Sequence, residues 1–493
     1  MEDSGILCKI RKIIWPIEKK EYAKVLPMAG MMLCILFNYA MLRSIKDGFV
    51  VVKIGAEAIS FLKTYFVLPS SLLFMVLYTF LCGRMNLQKV FYTIMTGFLV
   101  YLIIFTFFLY PNADLVSMDP GNIVALSSQY PRLKWFIKII GNWSSVSLYI
   151  IAELWGSVGL SLLFWQFANQ ITLIDEAKRF YPTFGIIGNI GLPLAGLVLG
   201  YFLSENSIIS KDYKFIPVLS FTIVSSCIIM LLYRWVNANV VKNMELKQKK
   251  RKAKASLVDS FKVIFSSPYL GLIAVLVFSY GVSINLVEGI WKAKMRELYP
   301  TSESYTHYMG EFQIWQGIFA IIFMIIGGNI LRRVSWKSAA IFTPMMMLVT
   351  GLCLFALILL QDQISFGWFS SFVAVQPLAI TVFLGSVQNI LSKATKYSLF
   401  DATKEMAYIP LSQDLQSKGK AAVDVIGGRL GKSGGAFIQS TFFIIFHTLT
   451  FTDAIPYFAV IFFIVTLGWI FAVNALSKRY YVALKESETQ SEK

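Results

Sequence analysis

Histidine and paired cysteines, the usual ligands of metals and members of catalytic sites, are almost missing from this 493-residue chain. The only histidines are His307 and His447, which argues against a histidine-based metal site or catalytic triad. The five cysteines lie far apart and form no CxxC pair, so they predict neither a disulfide framework nor a zinc site. Four of them lie in or beside apolar runs, where cysteine is usually a small packing residue.

Charge is also scarce, at 15% of residues against about 25% in an ordinary soluble domain. Hydrophobic residues make up 56% of the chain, and the mean hydropathy is +0.64. A disordered protein would be more polar, and a soluble nucleic-acid binder would carry its positive charge on a solvated domain. The composition therefore indicates a protein embedded in the lipid bilayer, with a net charge of +17 that needs an explanation.

Twelve apolar runs, each near the length of about 20 residues that a membrane-spanning helix needs, divide the chain into two sets of six. The first set covers about 25–42, 59–82, 88–110, 139–165, 183–203 and 215–236. The second covers about 269–290, 312–331, 339–360, 372–392, 421–447 and 455–476. We expect an all-α polytopic membrane protein with about twelve transmembrane helices in two six-helix halves, which is the major-facilitator-like arrangement.

The charge of the connecting segments predicts domains and orientation. The expected domains are a cytoplasmic N-terminal arm (1–24), an N-terminal half (25–236), a basic cytoplasmic linker (237–268), a C-terminal half (269–476) and a cytoplasmic tail (477–493). With both termini inside, the inner segments hold about 31 Lys and Arg residues and the outer segments about 12, the latter including Arg43, Lys46, Lys63 and Lys292. This asymmetry favours cytoplasmic termini, and the arm lacks a signal-peptide h-region.

Four ionisable residues fall within or near the edge of the predicted spans, namely Lys63, Glu153, Glu288 and Lys432. A charge at the bilayer centre costs at least about 2.5–3.5 kcal/mol, so such a residue is expected to face a wet cavity or a partner. For Glu153, near the middle of its span, we favour a functional role over a purely structural salt bridge. For Lys63 and Glu288, near the interface, snorkelling to the headgroups is an equally good explanation.

A glycine-rich segment at the start of the eleventh span looks like a phosphate loop but fails the pattern. The motif needs a glycine where the chain has Ile426, and no β-strand precedes it. Three glycines instead recur every fourth residue, which predicts a close helix-packing face: Gly427, Gly431 and Gly435. On the other side of this helix, Arg429 and Lys432 would present two cations near a helix N-terminus, a favourable seat for an oxyanion.

Residues 164–170 combine aromatic and amide side chains that could stack on and hydrogen-bond a planar base. Trp165 and Asn169 are the candidates for this contact. Interfacial anchoring by the aromatics and capping by the amides is the better explanation from composition alone. The charged loop that follows, residues 175–179, we interpret as a gating or interdomain cluster.

Long stretches in both halves carry a further signal. Those in the N-terminal half are Leu42-Arg-Ser-Ile-Lys-Asp-Gly-Phe49, Phe61-Leu-Lys-Thr64, Ala152-Glu-Leu-Trp-Gly156, Phe164-Trp-Gln-Phe-Ala-Asn-Gln-Ile171 and Asp175-Glu-Ala-Lys-Arg-Phe-Tyr-Pro182. Those in the C-terminal half are Gly281-Val-Ser-Ile-Asn-Leu-Val-Glu288, Lys396-Tyr-Ser-Leu-Phe-Asp401, Met406-Ala-Tyr-Ile-Pro410 and Leu430-Gly-Lys-Ser-Gly-Gly435. These stretches resemble the ATP/ADP translocases, the nucleotide transporter family of intracellular bacteria and plastids. The resemblance covers nearly the whole chain, and the flanking sequence is most similar to the rickettsial energy-parasite type.

The resemblance implies a twelve-helix antiporter that imports ATP in exchange for ADP, without a cofactor and without hydrolysing the nucleotide. The charged residues implicated in transport in that family correspond here to Lys63, Glu153, Glu288 and Lys432. The cations expected to neutralise phosphates are Lys63, Lys432, Arg43, Lys46 and Arg429. The carboxylates Glu153 and Glu288 would pair with these cations in the empty state or contact ribose and base.

Three alternatives remain open at this point. The same family contains proton-coupled importers and exchangers of other ribonucleotides, such as GTP, CTP or UTP. A polytopic enzyme acting on nucleotides and a structural or receptor role are the others. The expected partners are ATP and ADP, with phosphate or other nucleotides as further candidates and no nucleic acid, for a monomer in a bacterial inner membrane.

Overall fold

The computed structural model describes residues 17–207, 209–210, 213–243, 267–360, 376–411, 415, 423 and 428–491, and every regular element in these ranges is helical. The long helices before residue 244 are α1 Tyr22–Lys53, α2 Ala58–Arg84, α3 Leu87–Leu109, α4 Trp143–Ile171, α5 Ile174–Asn189 with its continuation Gly191–Leu203, and α6 Phe215–Asn239. Those after residue 266 are α7 Pro268–Leu298, α8 Ser302–Arg333, α9 Trp336–Leu360, α10 Pro377–Thr395 with its continuation to Ala407, α11 Gly428–Ile445 and α12 Phe451–Ser491. We call these two sets the first and second helical parts.

Two of the turns between successive helices are short, and capping side chains begin the helix that follows each of them. Asn86 accepts a hydrogen bond from the backbone N–H of Lys89 at 2.9 Å, directly after α2 ends. Thr301 and Ser304 form a reciprocal capping box at the start of α8, three residues after α7 ends. These tight turns return the chain antiparallel to the preceding helix.

Ten helices in the described residues are long and apolar enough to cross a membrane, namely α1 to α9 and α12. The predicted all-α, polytopic class is therefore confirmed, whereas the count of twelve spans is not established. The apolar portion of α11 is the short segment Ser433–Ile445, and α10 does not meet the same criterion. The predicted spans 372–392 and 421–447, and most of the linker 237–268, extend into ranges outside the described residues.

The two helical parts pack together at one end of the molecule. One hydrophobic cluster contains buried residues from the first part alone, between Ile17 and Val236. The other joins α7 to α12 with the end of α1, the start of α2 and residues 135–149 of the first part. We call this shared end, which contains the α1–α2 turn and the α7–α8 turn, the closed end.

Polar contacts at the closed end cross between the two parts. The hydroxyl of Ser302 donates to the carbonyl of Gly48 at 3.2 Å, and the backbone N–H of Phe451 donates to Oε1 of Glu57 at 3.0 Å. Only glycine fits at position 48, because a Cβ there would lie 2.0 Å from Oγ1 of Thr306. These contacts hold the ends of α1 and α2 against α8 and α12.

At the opposite end, polar contacts tie elements of the same part. Arg179 and Glu21 pair at 2.6 Å within the first part, and Tyr269 donates to the carbonyl of Ala407 at 2.7 Å within the second. On one flank α5 and α8 also pack closely across the two parts, where Nδ2 of Asn189 lies 3.9 Å from Sδ of Met324.

Candidate functional site

Two ion pairs join α1 to α7 inside the helical bundle. Nη2 of Arg43 lies 2.8 Å from Oε1 of Glu288, and Nζ of Lys292 lies 2.8 Å from Oδ2 of Asp47. Each helix carries its two charges four residues apart, so both face the same neighbour. The order of the signs is reversed: α1 places the cation before the anion, and α7 places the anion before the cation. Both pairs consequently have the same sequence separation of 245 residues.

Three charged residues of this region lie at one depth. Arg43, Glu153 and Glu288 each stand ten residues, about 15 Å, from the closed end of their helices. The sequence prediction that put Arg43 and Lys46 in an outer loop is wrong, because both lie within α1. Glu288, predicted towards one end of its helix, lies ten residues before the end of α7, which continues to Leu298 rather than ending near residue 290. Hydropathy ends α1 near residue 42, but its charges are neutralised against α7, so the helix continues for about three more turns to Lys53.

Lys46 is enclosed by partners. Its Nζ lies 2.8 Å from Oδ1 of Asp47 and 2.9 Å from Oε1 of Glu153, and 3.8 Å from the centroid of the Tyr149 ring. The Lys46 side chain is 4% exposed, while the side chain of Glu153 is 32% exposed. Lys46 therefore connects the buried α1–α7 pairs to a carboxylate of α4 that borders accessible space.

Lys63 extends the network to α2. Its Nζ donates to Oδ1 of Asn285 at 2.7 Å and lies 3.6 Å from Oε2 of Glu288. The side chain of Lys63 is 19% exposed and that of Glu288 is 13% exposed, so this pair is partly accessible. Contact with α7 across the two parts, rather than snorkelling to the headgroups, explains the position of this lysine.

Lys393 of α10 reaches the same region through Gln316 of α8. Nζ of Lys393 and Nη1 of Arg43 both donate to Oε1 of Gln316 at 3.4 Å, and the ammonium lies 5.2 Å from the centroid of the Phe312 ring. Sequence reasoning assigned Lys393 to the loop after the tenth span and did not select it as a site residue. Its sequence carries no signal, because only the packing of α10 against α8 brings it to Arg43.

Asp47 and Lys292 were also missed as site residues. The signal was present in the sequence: each lies four residues after a charge of opposite sign, in the corresponding helix of each half. Hydropathy alone assigns both residues to segments outside the membrane, where this spacing does not mark them as partners.

Within the described residues these side chains form a charged cluster with an excess of two positive charges. Its five cations are Arg43, Lys46, Lys63, Lys292 and Lys393, and its three carboxylates are Asp47, Glu153 and Glu288. An uncompensated charge in a membrane interior is expensive, so this cluster favours the entry of a multivalent anion. No group of three or more His, Cys, Asp or Glu side chains suited to a metal ion occurs in the same described ranges.

Three of the cluster's helices change to π-helical geometry next to their charged residue. In α2, the π-helical turn Leu62–Val67 contains Lys63. In α4 and α10 the π-helical segments Gly156–Phe164 and Lys396–Phe400 each begin three residues after a charge, Glu153 and Lys393 respectively. Such turns occur frequently at functional sites and leave backbone groups that can rearrange.

The glycine face of α11 is partly confirmed. A Cβ at Gly431 would lie 3.1 Å from the carbonyl of Val277, and one at Gly435 would lie 3.0 Å from Cβ of Asn285, so both glycines pack against α7. Gly427 lies outside the described residues. Arg429 and Lys432 occupy the first turns of α11, which packs beside the Lys63 turn, but their side chains lie outside what the structure describes.

Trp165 and Asn169 lie apart from the charged cluster. Trp165 follows Glu153 by twelve residues on α4, about 18 Å along the helix axis. Its ring packs against Tyr181 at 5.0 Å between centroids, and Oδ1 of Asn169 accepts a hydrogen bond from the hydroxyl of Tyr181 at 2.5 Å. The structure therefore does not bring these two residues to the cations, and their contact with a base stays a prediction.

The charged loop after α4 pairs within the first part. Lys24 lies 2.5 Å from Glu176, and Arg179 binds both carboxylate oxygens of Glu21. These contacts fasten the start of α5 to the start of α1. For Glu176 and Arg179 the ion pairs lie within the first part, and the gating or interdomain role of the loop stays a prediction.

A bundle of membrane-spanning helices in two parts, with an accessible charged cluster between them, defines a polytopic membrane transporter. Solved transporter structures share this fold. A bacterial homologue of the iron transporter ferroportin matches with a TM-score of 0.55 and 14% identity over 94% of this chain and 100% of that chain. A D-xylose–proton symporter matches with a TM-score of 0.54 and 13% identity over 91% and 97%. The major-facilitator-like fold class is thereby confirmed.

The family is shown by sequence. The chain belongs to the TLC ATP/ADP transporter family, whose model matches residues 2–480. It is 56% identical to ADP,ATP carrier protein 1 of Rickettsia bellii and of Rickettsia prowazekii, over 99% of each chain. It is 46% identical to ADP,ATP carrier protein 3 of Rickettsia prowazekii, over 96% of this chain and 97% of that protein. The resemblance noted in the sequence is confirmed, and the chain is a carrier rather than an enzyme.

Proposed function

We propose that this carrier imports ATP in exchange for ADP and releases the nucleotide chemically unchanged. The observation that carries the proposal is the charged cluster, whose excess of two positive charges suits a phosphate chain. The family and the relatives named ADP,ATP carrier protein support the same substrate pair.

Exchange proceeds by alternating access around this cluster. In the present state the Arg43–Glu288 and Asp47–Lys292 pairs hold α1 against α7 near the closed end. Opening that end requires the two parts to rock apart, so both pairs must separate. When the carboxylates separate from these cations, phosphate groups bind the cations and neutralise their positive charge.

The electrical cost favours exchange over uniport. Moving one elementary charge across 100 mV is worth about 2.3 kcal/mol. ATP entering alone would carry about four negative charges, whereas ATP in exchange for ADP moves about one net charge. A concentrated external ATP pool can offset the smaller of these barriers.

The residues divide by exposure into different roles. Lys63 and Arg43 bind phosphate, together with Lys432 and Arg429 at the start of α11. Glu153 and Glu288 are the exchangeable partners of the cations. Lys46, buried between two carboxylates, orients them.

Trp165 and Asn169 contact the base at the end opposite the closed end, which outgoing ADP meets before it reaches the cluster. Both termini are cytoplasmic in a bacterial inner membrane, and a monomer suffices because the cluster is built from one chain. The halves 25–236 and 269–476 move as the two rocking units. Phosphate and other nucleotides are further candidate substrates.

Uptake of labelled ATP by expressing cells, competed with a full nucleotide panel, tests the proposal. Preloading with ADP should accelerate uptake, and the recovered label should be intact ATP. Cells with the empty vector are the control. If uptake does not depend on internal ADP and is abolished by an uncoupler, the carrier is proton-coupled and does not exchange ATP for ADP. Recovery of hydrolysed label would indicate an enzyme.

A further inference from the structure

Lys393 differs from the other cations of the charged cluster in its partners. Each of the other four has a carboxylate oxygen at 2.8–3.6 Å: Arg43, Lys46, Lys63 and Lys292. For Lys393 no carboxylate lies within ion-pair distance among the residues that the structure describes, and its polar contact is the neutral Oε1 of Gln316 at 3.4 Å.

Gln316 holds two cations from opposite sides of the site. Its Oε1 accepts from Lys393 of the second part and from Arg43 of the first part, each at 3.4 Å. The Gln316 residue is 6% exposed, so water screens the repulsion between the two cations poorly. A neutral amide oxygen compensates two charges less well than an anionic oxygen at the same place.

The position of Lys393 matches that of Glu153 in the other part. Each lies three residues before a π-helical segment, on α10 and α4 respectively. Glu153 borders accessible space, and Lys393 is likewise partly exposed. Corresponding positions in the two parts therefore present charges of opposite sign to the space between them.

We propose that Lys393 is a phosphate-binding residue, and that a phosphate oxygen displaces Oε1 of Gln316 to bridge Lys393 and Arg43. The inference rests on the proposed function, because it takes the phosphate chain of a nucleotide as the ligand. The phosphate binds at Nη1 of Arg43, and its negative charge repels the Glu288 carboxylate at Nη2, so binding weakens the α1–α7 contact. Binding of a nucleotide is thereby coupled to opening of the closed end, and without a bound nucleotide the closed end does not open.

The test compares Lys393→Gln and Lys393→Arg with Lys396→Gln. Lys396 is a matched control, because it lies one turn further along α10 and pairs locally with Asp401 at 2.7 Å. The ATP concentration for half-maximal exchange is measured in ADP-loaded proteoliposomes, and thermal stabilisation of the purified carrier is measured with ATP, AMP and tripolyphosphate. Lys393→Gln should raise the half-maximal ATP concentration about 10- to 100-fold, the range for losing a charged hydrogen bond. Lys393→Arg should retain most of the affinity, and Lys396→Gln all of it.

Gln316→Glu separates binding from a structural role. A carboxylate there should bridge both cations, raise the thermal stability of the empty carrier and reduce stabilisation by ATP and tripolyphosphate more than by AMP. An ATP affinity unchanged in both Lys393→Gln and Gln316→Glu overturns the inference while leaving ATP exchange by the unmodified carrier intact. If the unmodified carrier does not exchange ATP, the proposed function fails, and loss of tripolyphosphate binding in Lys393→Gln still supports Lys393 as the anion site.

Discussion

Asp47 offers the most direct test of the buried network, because its two carboxylate oxygens bind one lysine from each helical part. Lys46 and Lys292 both lie 2.8 Å from this carboxylate, and the Asp47 side chain is fully buried. Replacing Asp47 by Asn leaves Lys292 with Glu288 at 3.4 Å as its remaining partner. Breaking a buried ion pair by removing one partner costs about 3–5 kcal/mol. Since a weaker partner remains, we expect about 3 kcal/mol, or roughly a 150-fold shift between the closed and open states of this end.

The shift is measured as exposure of the closed end. A cysteine replaces Ser302, which contacts Gly48 across the two parts, in a background without the native cysteines. Its labelling rate by a membrane-impermeant maleimide reports opening, and Asp47→Asn should raise this rate by about two orders of magnitude. The double variant Asp47→Asn, Lys292→Gln removes both charges. Its labelling rate should therefore return towards that of the unmodified carrier by about fivefold for each kcal/mol of coupling between the two residues.

The control is the Lys294–Glu297 pair, which lies within α7 at 2.9 Å with Glu297 43% exposed. Glu297→Gln should change the labelling rate less than about fivefold, because exposed pairs contribute about 1 kcal/mol or less. Equal labelling of the Asp47→Asn carrier and the unmodified carrier would refute the idea that this pair holds the end closed. Equal labelling of the single and double variants would refute the pairing of Asp47 with Lys292.

Glu153→Gln should slow ATP/ADP exchange without loss of membrane insertion, because it removes the accessible partner of Lys46 at 2.9 Å; an unchanged exchange rate would assign Glu153 a structural role. Lys432→Ala should reduce ATP uptake while surface labelling shows normal insertion, and normal uptake would contradict the phosphate site on α11. Gly48→Ala should increase labelling at the closed end, since its Cβ would lie 2.0 Å from Oγ1 of Thr306 and push α1 from α8; labelling at the unmodified rate would show that the contact yields without separating the helices.

The sequence predicted the existence of most spans because a long apolar run has few alternatives to a membrane helix. It misplaced the ends of α1 and α7, since hydropathy treats Arg43 and Glu288 as two separate costs although each compensates the other. Lys46, which was expected to bind phosphate, is instead a buried partner of the Asp47 and Glu153 carboxylates.

Other parts of the site depend on tertiary packing alone. Lys393 reaches Arg43 only because α8 brings Gln316 between them, and the π-helical turns near the charges have no recognised sequence signature. The packing face of α11 was predictable, because small residues at every fourth position admit a neighbouring backbone, as Gly431 and Gly435 do against α7.

The reversed order of charges on α1 and α7 also determines which assemblies can form. If two copies of the first part met through the same surface, Arg43 would face its own copy and so would Asp47, and two copies of the second part would set Glu288 and Lys292 against themselves. Like charges in direct opposition disfavour both symmetric dimers, while the unlike pairing satisfies all four residues. Four side chains thus favour pairing of the first part with the second over pairing of either part with a copy of itself.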